Sequence, residues 1–241
     1  MDKTVFKRIE TKYLLNDIQY KALLERIRHM ASVDEYGEST ILNIYFDTPD
    51  FRLIRTSLEK PKYKEKLRLR SYGVPTDDSK AFIEIKKKFA GVVYKRRMTA
   101  SYQKSLAYLC DGVPLEEATQ ISKEIDYVLD FYGTLQPAMA ISYDRIAMIG
   151  TEDPELRITF DTNIRWRTDH LDLSYGNTGV DILKPGQHLM EIKIAGAMSV
   201  ELAQILTELH IYPTSFSKYG RGYEQMMQME QTHEQGKRQT A

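Results

Sequence analysis

Hydrophobic and polar positions alternate with a period of two along much of the chain, the pattern of strands whose faces meet different surroundings. The alternation predicts strands near residues 5–15, 39–47, 63–72, 80–88, 91–101, 137–148, 155–163 and 188–195. Three- and four-residue spacing predicts helices over Asp17–Met30, Ser101–Cys110, Leu115–Tyr132 and Met198–Leu209, with a last one after Ser217. Asn16 or Asp17 is placed to cap the first helix, because a short acceptor side chain there satisfies orphan amides. The breaks are short turns such as Thr48-Pro49-Asp50, Ala90-Gly91 and Gly112-Val113-Pro114. No repeat or low-complexity linker divides the 241 residues. The reading is therefore one α+β domain over 1–241, with a polar, flexible tail from about 228. Strand and helix do not alternate regularly, so a doubly wound sheet is not expected. The expectation is a closed antiparallel β-barrel of about eight strands with helices packed outside.

What alternates carries the chemistry. Lys66, Arg68 and Arg70 share one face of their strand while Leu67 and Leu69 take the other. Ile83-Glu84-Ile85-Lys86, Glu191-Ile192-Lys193-Ile194 and Arg8-Ile9-Glu10-Thr11-Lys12 repeat the rhythm. Arg157 and Asp161 share a face, and Arg145 ends Ile141–Arg145. For a single strand the ordinary reading is a solvated charged face over an aliphatic core. Stacked like charges repel unless an anion lies between them, however, and the same basic pattern recurs on strands far apart in sequence. If the barrel is wide enough, these faces line its interior as a ring of Lys and Arg suited to an extended polyanion.

Net charge is zero, but it is segregated. Pro61–Arg97 holds twelve Lys/Arg against four acids, whereas Val113–Leu135 holds five acids against one lysine. The basic stretch points to small anions or nucleic acid. No RNP or helix-turn-helix pattern accompanies it, and nucleic acid is not an expected partner. GxxxxGK[ST], GxGxxG and GxSxG are missing, and the five histidines have no metal-ligand spacing. Any metal is then a hard cation on Glu or Asp oxygens and substrate phosphate. Cys110 is the single cysteine and reads as a small buried hydrophobe. There is no signal core and no run of roughly 20 apolar residues, which makes the cytoplasm the expected location.

Eight blocks in order resemble a known family. They are Arg8-Ile9-Glu10-Thr11-Lys12-Tyr13, Asn43-Ile44-Tyr45-Phe46-Asp47-Thr48, Leu67-Arg68-Leu69-Arg70-Ser71-Tyr72-Gly73, Phe82-Ile83-Glu84-Ile85-Lys86, Ile141-Ser142-Tyr143-Asp144-Arg145, Arg157-Ile158-Thr159-Phe160-Asp161, Met190-Glu191-Ile192-Lys193 and Phe216-Ser217-Lys218-Tyr219. Together they resemble the catalytic domain of the vacuolar transporter chaperone (VTC) polyphosphate polymerases, of the triphosphate tunnel superfamily. The resemblance implies an antiparallel tunnel in which the ATP γ-phosphate is transferred to a growing inorganic polyphosphate chain with Mn²⁺ or Mg²⁺. It implies catalytic roles for Arg68, Arg70, Lys86, Arg145, Arg157, Lys193 and Lys218. Substrate-binding roles follow for Arg8, Lys12, Lys66, Lys95, Arg97 and Tyr219. Glu191 is the implied metal ligand, with Glu10 and Glu84 the next candidates. The expected partners are ATP or another nucleoside triphosphate and polyphosphate. No membrane span is expected, and a separate membrane partner protein is the one further candidate partner.

Two features depart from relatives of that family. The triphosphatases and class IV adenylate cyclases begin with Glu-x-Glu-x-Lys, where this chain has Arg8-x-Glu10-x-Lys12. Arg in place of a carboxylate removes a possible metal ligand and adds a phosphate contact, which favours polymerase over hydrolase. The eukaryotic polymerases also carry membrane spans and an inositol-phosphate sensor domain that this chain lacks. A metal-dependent tripolyphosphate or nucleoside triphosphate hydrolase and a non-catalytic polyphosphate-binding module remain the rival readings.

Overall fold

A computed structural model describes residues 8–239, without the side chains of residues 8, 233, 234 and 236–239. In chain order the elements are β1 (Arg8–Asn16), α1 (Asp17–Ile27), β2 (Ala31–Asp47), α2 (Arg52–Leu58), β3 (Tyr63–Tyr72), β4 (Lys80–Phe89), β5 (Val92–Ser101), α3 (Tyr102–Asp111), α4 (Gln120–Tyr132), β6 (Gln136–Gly150), β7 (Arg157–Arg167), a short 3-10 turn (Leu173–Tyr175), β8 (Val180–Asp181), β9 (Gln187–Ala195), α5 (Val200–Glu208), β10 (Pro213–Thr214) and α6 (Lys218–Gln239). The sheet order is β10-β1-β9-β7-β6-β2-β3-β4-β5, with β8 on β7, and the described registers are antiparallel. Among the described residues this is an α+β fold with ten strands where about eight were expected. Among the described residues the order ends at β10 and β5, so these pairings do not make the expected closed barrel.

The chain forms two compact units, and β2, β6 and β7 each run from one into the other. One unit comprises residues 1–39, 143–164 and 183–216. Its aliphatic sheet face, with Ile158, Phe160, Met190 and Ile192, packs on Leu23 and Ile27 of α1 and on Leu202, Ile205 and Leu206 of α5. Asn16 caps α1, accepting from the Gln19 amide at 2.9 Å while the Gln19 side chain accepts from the Asn16 amide.

The other unit comprises residues 40–142, 165–182 and 217–241. Leu42, Ile44, Leu67, Leu69, Ile83 and Ile85 pack beneath α3 and α4 through Tyr108, Leu109, Ile125 and Val128. In α3 the positions facing this core are Tyr102, Ser105, Tyr108 and Leu109. Cys110 falls one residue, about 100° of helix turn, beyond that stripe and is exposed, contrary to the burial expected of it. Helix α6 runs on to Gln239, through the stretch expected as a flexible tail. Its Gly222 is a point of close packing: a Cβ there would stand 2.7 Å from Met139 Sδ and 3.1 Å from Trp166 Cβ.

Candidate active site

In the second unit the antiparallel register sets cations in rows, because directly opposed residues share a face. One row is Tyr45, Arg68, Glu84 and Arg97; the next is Lys66, Lys86 and Lys95. Asn43 and Arg70 stand opposite one another on the same face. Arg96, opposite Ile85, points the other way, where it and Lys87 meet Glu124 of α4 at 3.6 and 3.5 Å. The register thus puts Lys95 and Arg97 on the cation face.

Glu84 is the centre of the first row. Arg68 Nε donates to its Oε2 at 2.7 Å, and Arg97 Nε donates to its Oε1 at 2.7 Å. Arg70 approaches Oε2 at 3.7 Å. Burial alone would raise the Glu84 carboxyl, but Arg68, Arg70 and Arg97 hold it down at about 2. Further contacts fix the guanidiniums: Arg68 donates to the Tyr45 hydroxyl at 3.1 Å, and Arg70 Nε to Asn43 Oδ1 at 2.9 Å. Asn43 in turn donates to the Ile141 carbonyl at 2.9 Å. Arg97 lies over the Phe82 ring at 4.4 Å. Asn43 and Tyr45 were missed as site residues, although they alternate with the core positions Ile44 and Phe46 and so occupy the charged face.

Lys66 donates to Ser217 Oγ at 2.9 Å, just before α6. Lys218 begins that helix and is half-buried. Tyr219 is buried, stacked on Tyr45 with 4.5 Å between centroids, and donates its hydroxyl to Asp47 at 2.8 Å. Burial and the Asp47 charge push this phenol far above its ordinary value. Asp47 also accepts from the Leu53 and Ile54 amides at 2.8 and 3.0 Å, which caps α2 from outside the helix. The Tyr219 hydroxyl is thus committed to holding α6 and α2 in place.

The first unit carries its own charged face. Lys12 stands opposite Glu191, and Glu10 and Arg157 stand on either side of Lys193. Glu191 Oε1 is 3.0 Å from Lys193 Nζ, and its Oε2 is 3.9 Å from Lys12 Nζ, which also donates to the Phe216 carbonyl at 2.8 Å. Arg145 grips buried Asp161 with two parallel bonds of 2.6 and 2.8 Å, a bidentate geometry that adds direction as well as strength. Burial would lower this guanidinium's pKa, but Tyr143, Asp161 and Glu191 raise it, so it stays charged. Arg157 is half exposed and pairs with Asp34 at 3.0 Å. Arg8 opens β1 opposite Ala195, and its side chain lies outside the described residues. Lys66, Arg68, Arg70 and Lys86 share one sheet face, while Lys193 belongs to the first unit.

Among the described residues no group of three or more His, Cys, Asp or Glu could hold a metal ion. A metal here therefore needs phosphate and water for most of its shell, which suits Mg²⁺ or Mn²⁺ with one or two carboxylates. Glu191 fits that as a single ligand that shares its charge with Lys193 and Lys12, while both oxygens of Glu84 accept from guanidiniums. No helix among the described residues is long and apolar enough to cross a membrane.

Among solved structures the chain is similar to a proposed adenylate cyclase from Bacillus halodurans, at 18% identity and a TM-score of 0.54 over 87% of this chain and 93% of that one. It is also similar to a proposed adenylyl cyclase from Hippeastrum, described as having a dominant triphosphatase activity, at 16% identity and 0.51 over 90% and 95%. Identities this low establish a shared fold. A comparison with curated proteins finds no match. The model of the VTC domain matches residues 7–227, nearly the whole length, and the chain belongs to the VTC domain family.

Proposed function

We propose that this protein is a polyphosphate polymerase, transferring the γ-phosphate of ATP to a growing inorganic polyphosphate chain in a cation-lined tunnel of the kind the family resemblance implies. The observation that carries this reading is the pair of rows centred on Glu84: Arg68 and Arg97 with Lys66, Lys86 and Lys95 on one sheet face, around a single carboxylate. Stacked cations gain most from an anion that spans several of them, and a polyphosphate chain has a charge on every unit.

Phosphoryl transfer asks the protein for position and charge neutralisation rather than covalent chemistry. Arg68, Arg70 and Arg97 arrive with their side chains already fixed by Glu84, Tyr45 and Asn43, so little order is lost when they take phosphate oxygens. Lys66, Lys86, Lys95 and Lys218 support further phosphates of the chain. In the other unit Arg145, Arg157, Lys12 and Lys193 serve the same purpose, and Glu191 would hold the metal. A bound Mn²⁺ or Mg²⁺ supplies further neutralisation of the triphosphate. The acceptor is itself an ionised phosphate, so no general base is required. The reaction belongs in the cytoplasm, where ATP is supplied.

Incubation with ATP and Mn²⁺, followed by a polyphosphate gel and a phosphate assay, tests the reading. Polymer is the expected product. Free phosphate without polymer would make the protein a triphosphatase instead, the activity described for the Hippeastrum relative. Neither product would leave a binding module.

A further inference from the structure

The tip of the β4–β5 hairpin has a composition that neither the core nor the cation face uses. Phe89, Ala90, Gly91, Val92, Val93 and Tyr94 follow one another without a charged side chain. Phe89 is 56% exposed, Val92 54%, Val93 39% and Tyr94 46%, and Tyr63, opposite Phe89 on β3, is 45% exposed. A run of exposed apolar residues this long is a fault in a soluble surface unless something covers it. The turn adds to the oddity. Ala90 and Gly91 both have positive φ, 45° and 90°, a two-residue hairpin that usually takes Asn-Gly. Here an apolar residue stands where the backbone prefers a polar one.

Directly behind the tip the chain is basic. Lys86, Lys87, Lys88, Lys95, Arg96 and Arg97 flank it with no acid between them, and the Ala90 amide is tied to the Lys62 carbonyl at 2.9 Å. Glu124 is shared by Lys87 and Arg96, and Glu84 takes Arg97. Lys88 lies one residue behind Phe89, and Lys95 one residue behind Tyr94, about 3 Å along each strand. We propose that this hairpin tip docks on an anionic lipid bilayer, with Phe89, Val92, Val93 and Tyr94 entering the headgroup layer and the lysines meeting lipid phosphates. The spacing suits that surface, since an interfacial apolar element reaches about 5–10 Å deep and leaves basic residues at headgroup level.

Charge decides against a second copy of this chain. β5 is the last strand of the sheet order and could offer its edge to a copy of itself, but Lys95, Arg96 and Arg97 would then face their own kind. The apolar side chains also occupy both faces of the tip: Val93 lies opposite Lys88 on the cation face, while Phe89 and Val92 point the other way. That arrangement suits insertion end-on better than a flat protein partner. Lys86 and Lys95 are shared with the proposed phosphate site, whereas Phe89 and Val92 are not, so the apolar tip can be tested apart from the catalytic reading.

Vesicle flotation tests it. The full-length chain is mixed with vesicles of phosphatidylcholine alone or of phosphatidylcholine with phosphatidylglycerol, and compared with a Phe89→Ser/Val92→Ser variant that keeps every cation. Wild type is expected to float with the anionic vesicles and not with the neutral ones. The variant is expected to bind them about tenfold more weakly. Its thermal stabilisation by tripolyphosphate should match that of wild type, which separates lipid phosphate from free phosphate. Failure of wild type to float, or flotation with neutral vesicles alike, overturns the proposal. Equal flotation of the variant reduces the contact to charge adhesion and overturns the inserted tip. Loss of the tripolyphosphate effect in the variant would assign the hairpin to the phosphate site.

Discussion

Arg68 Nε donates to Glu84 Oε2 at 2.7 Å, so a guanidinium assigned to phosphate binding is already satisfied by a carboxylate of the protein. Glu84 is the reason three arginines can converge on a largely buried patch of sheet. Buried like charges without a counter-ion cost far more than a paired set. The carboxylate keeps the guanidiniums aimed and charged until a phosphate shares them.

Glu84→Gln keeps the shape and removes the charge, and its effect on stability should depend on pH in a defined window. The folded carboxyl is depressed to about 2 from its ordinary 4.5. A depressed carboxyl contributes stability that is fully present above about pH 5 and lost as pH falls through the folded value. The expected difference between wild type and variant is on the order of 3 kcal/mol near neutral pH, shrinking between about pH 5 and 2. Denaturant unfolding across that range checks it. A difference that stays constant with pH would mean that the arginines do not hold the carboxylate.

Glu191→Gln should separate metal-dependent turnover from phosphate binding. The carboxylate sits between Lys193 at 3.0 Å and Lys12 at 3.9 Å, and neutralising it removes the proposed metal ligand while leaving both cations. Turnover with Mn²⁺ should fall about a hundredfold or more, while tripolyphosphate binding without metal persists or tightens. Full activity at saturating Mn²⁺ would move the metal elsewhere, with Glu10 the next carboxylate.

Much of this was legible in the sequence because the strands alternate so strictly. The expected 63–72 coincides with β3 (Tyr63–Tyr72), and the faces expected for Lys66, Arg68, Arg70, Glu84 and Lys86 are the faces observed. The first half of β2 was not legible: Ser32–Glu38 is polar on both sides and has no aliphatic beat. Helix α2 is only seven residues long and starts at Phe51 in the left-handed region without a side-chain cap of its own. Its amides are satisfied by Asp47, an acceptor from a different element that no local pattern reveals. Glu84 read as a metal candidate because strand alternation says which face a carboxylate takes, not which cations converge on it. Closure of the barrel was inferred from many strands that do not alternate regularly with helices, a pattern that carries no information about which edges pair.

Gly222→Ala should destabilise the protein even though alanine is the better helix former. Alanine in a helix gains about 1 kcal/mol over glycine. Against that, the new Cβ meets Met139 Sδ at 2.7 Å, Trp166 Cβ at 3.1 Å and Ile141 Cδ1 at 3.3 Å, and all three residues are buried. Overpacking of this kind costs about 1–3 kcal/mol. A net loss of up to about 2 kcal/mol, or as much as a few degrees in Tm, is the expected outcome of a thermal melt. A raised Tm would show that α6 can move away from the sheet without cost.

Tripolyphosphate should stabilise the folded chain, and a single lysine should control how much. A ligand that binds only the folded state adds RT ln(1 + [L]/Kd), about 2.7 kcal/mol at a hundredfold excess over Kd. For a chain of this length that is a rise in Tm of about 5–10 °C, larger at low salt than at high salt. Arg70→Ala is a poor probe of this effect: Arg70 is buried and bonded to Asn43, so truncation also leaves the amide oxygen without its donor. Lys86→Met is the better one. Lys86 stands between Lys66 and Lys95 in the middle of its row, and methionine keeps the length of the side chain while removing the charge. A lost charge-assisted contact of about 1.5–3 kcal/mol weakens binding about tenfold or more, which should cut the rise in Tm by several degrees. Sulfate at the same ionic strength should give a much smaller rise, because one divalent ion cannot span the row. Equal shifts for wild type and Lys86→Met, or a sulfate effect as large as that of tripolyphosphate, would reduce the cation face to an unspecific basic surface.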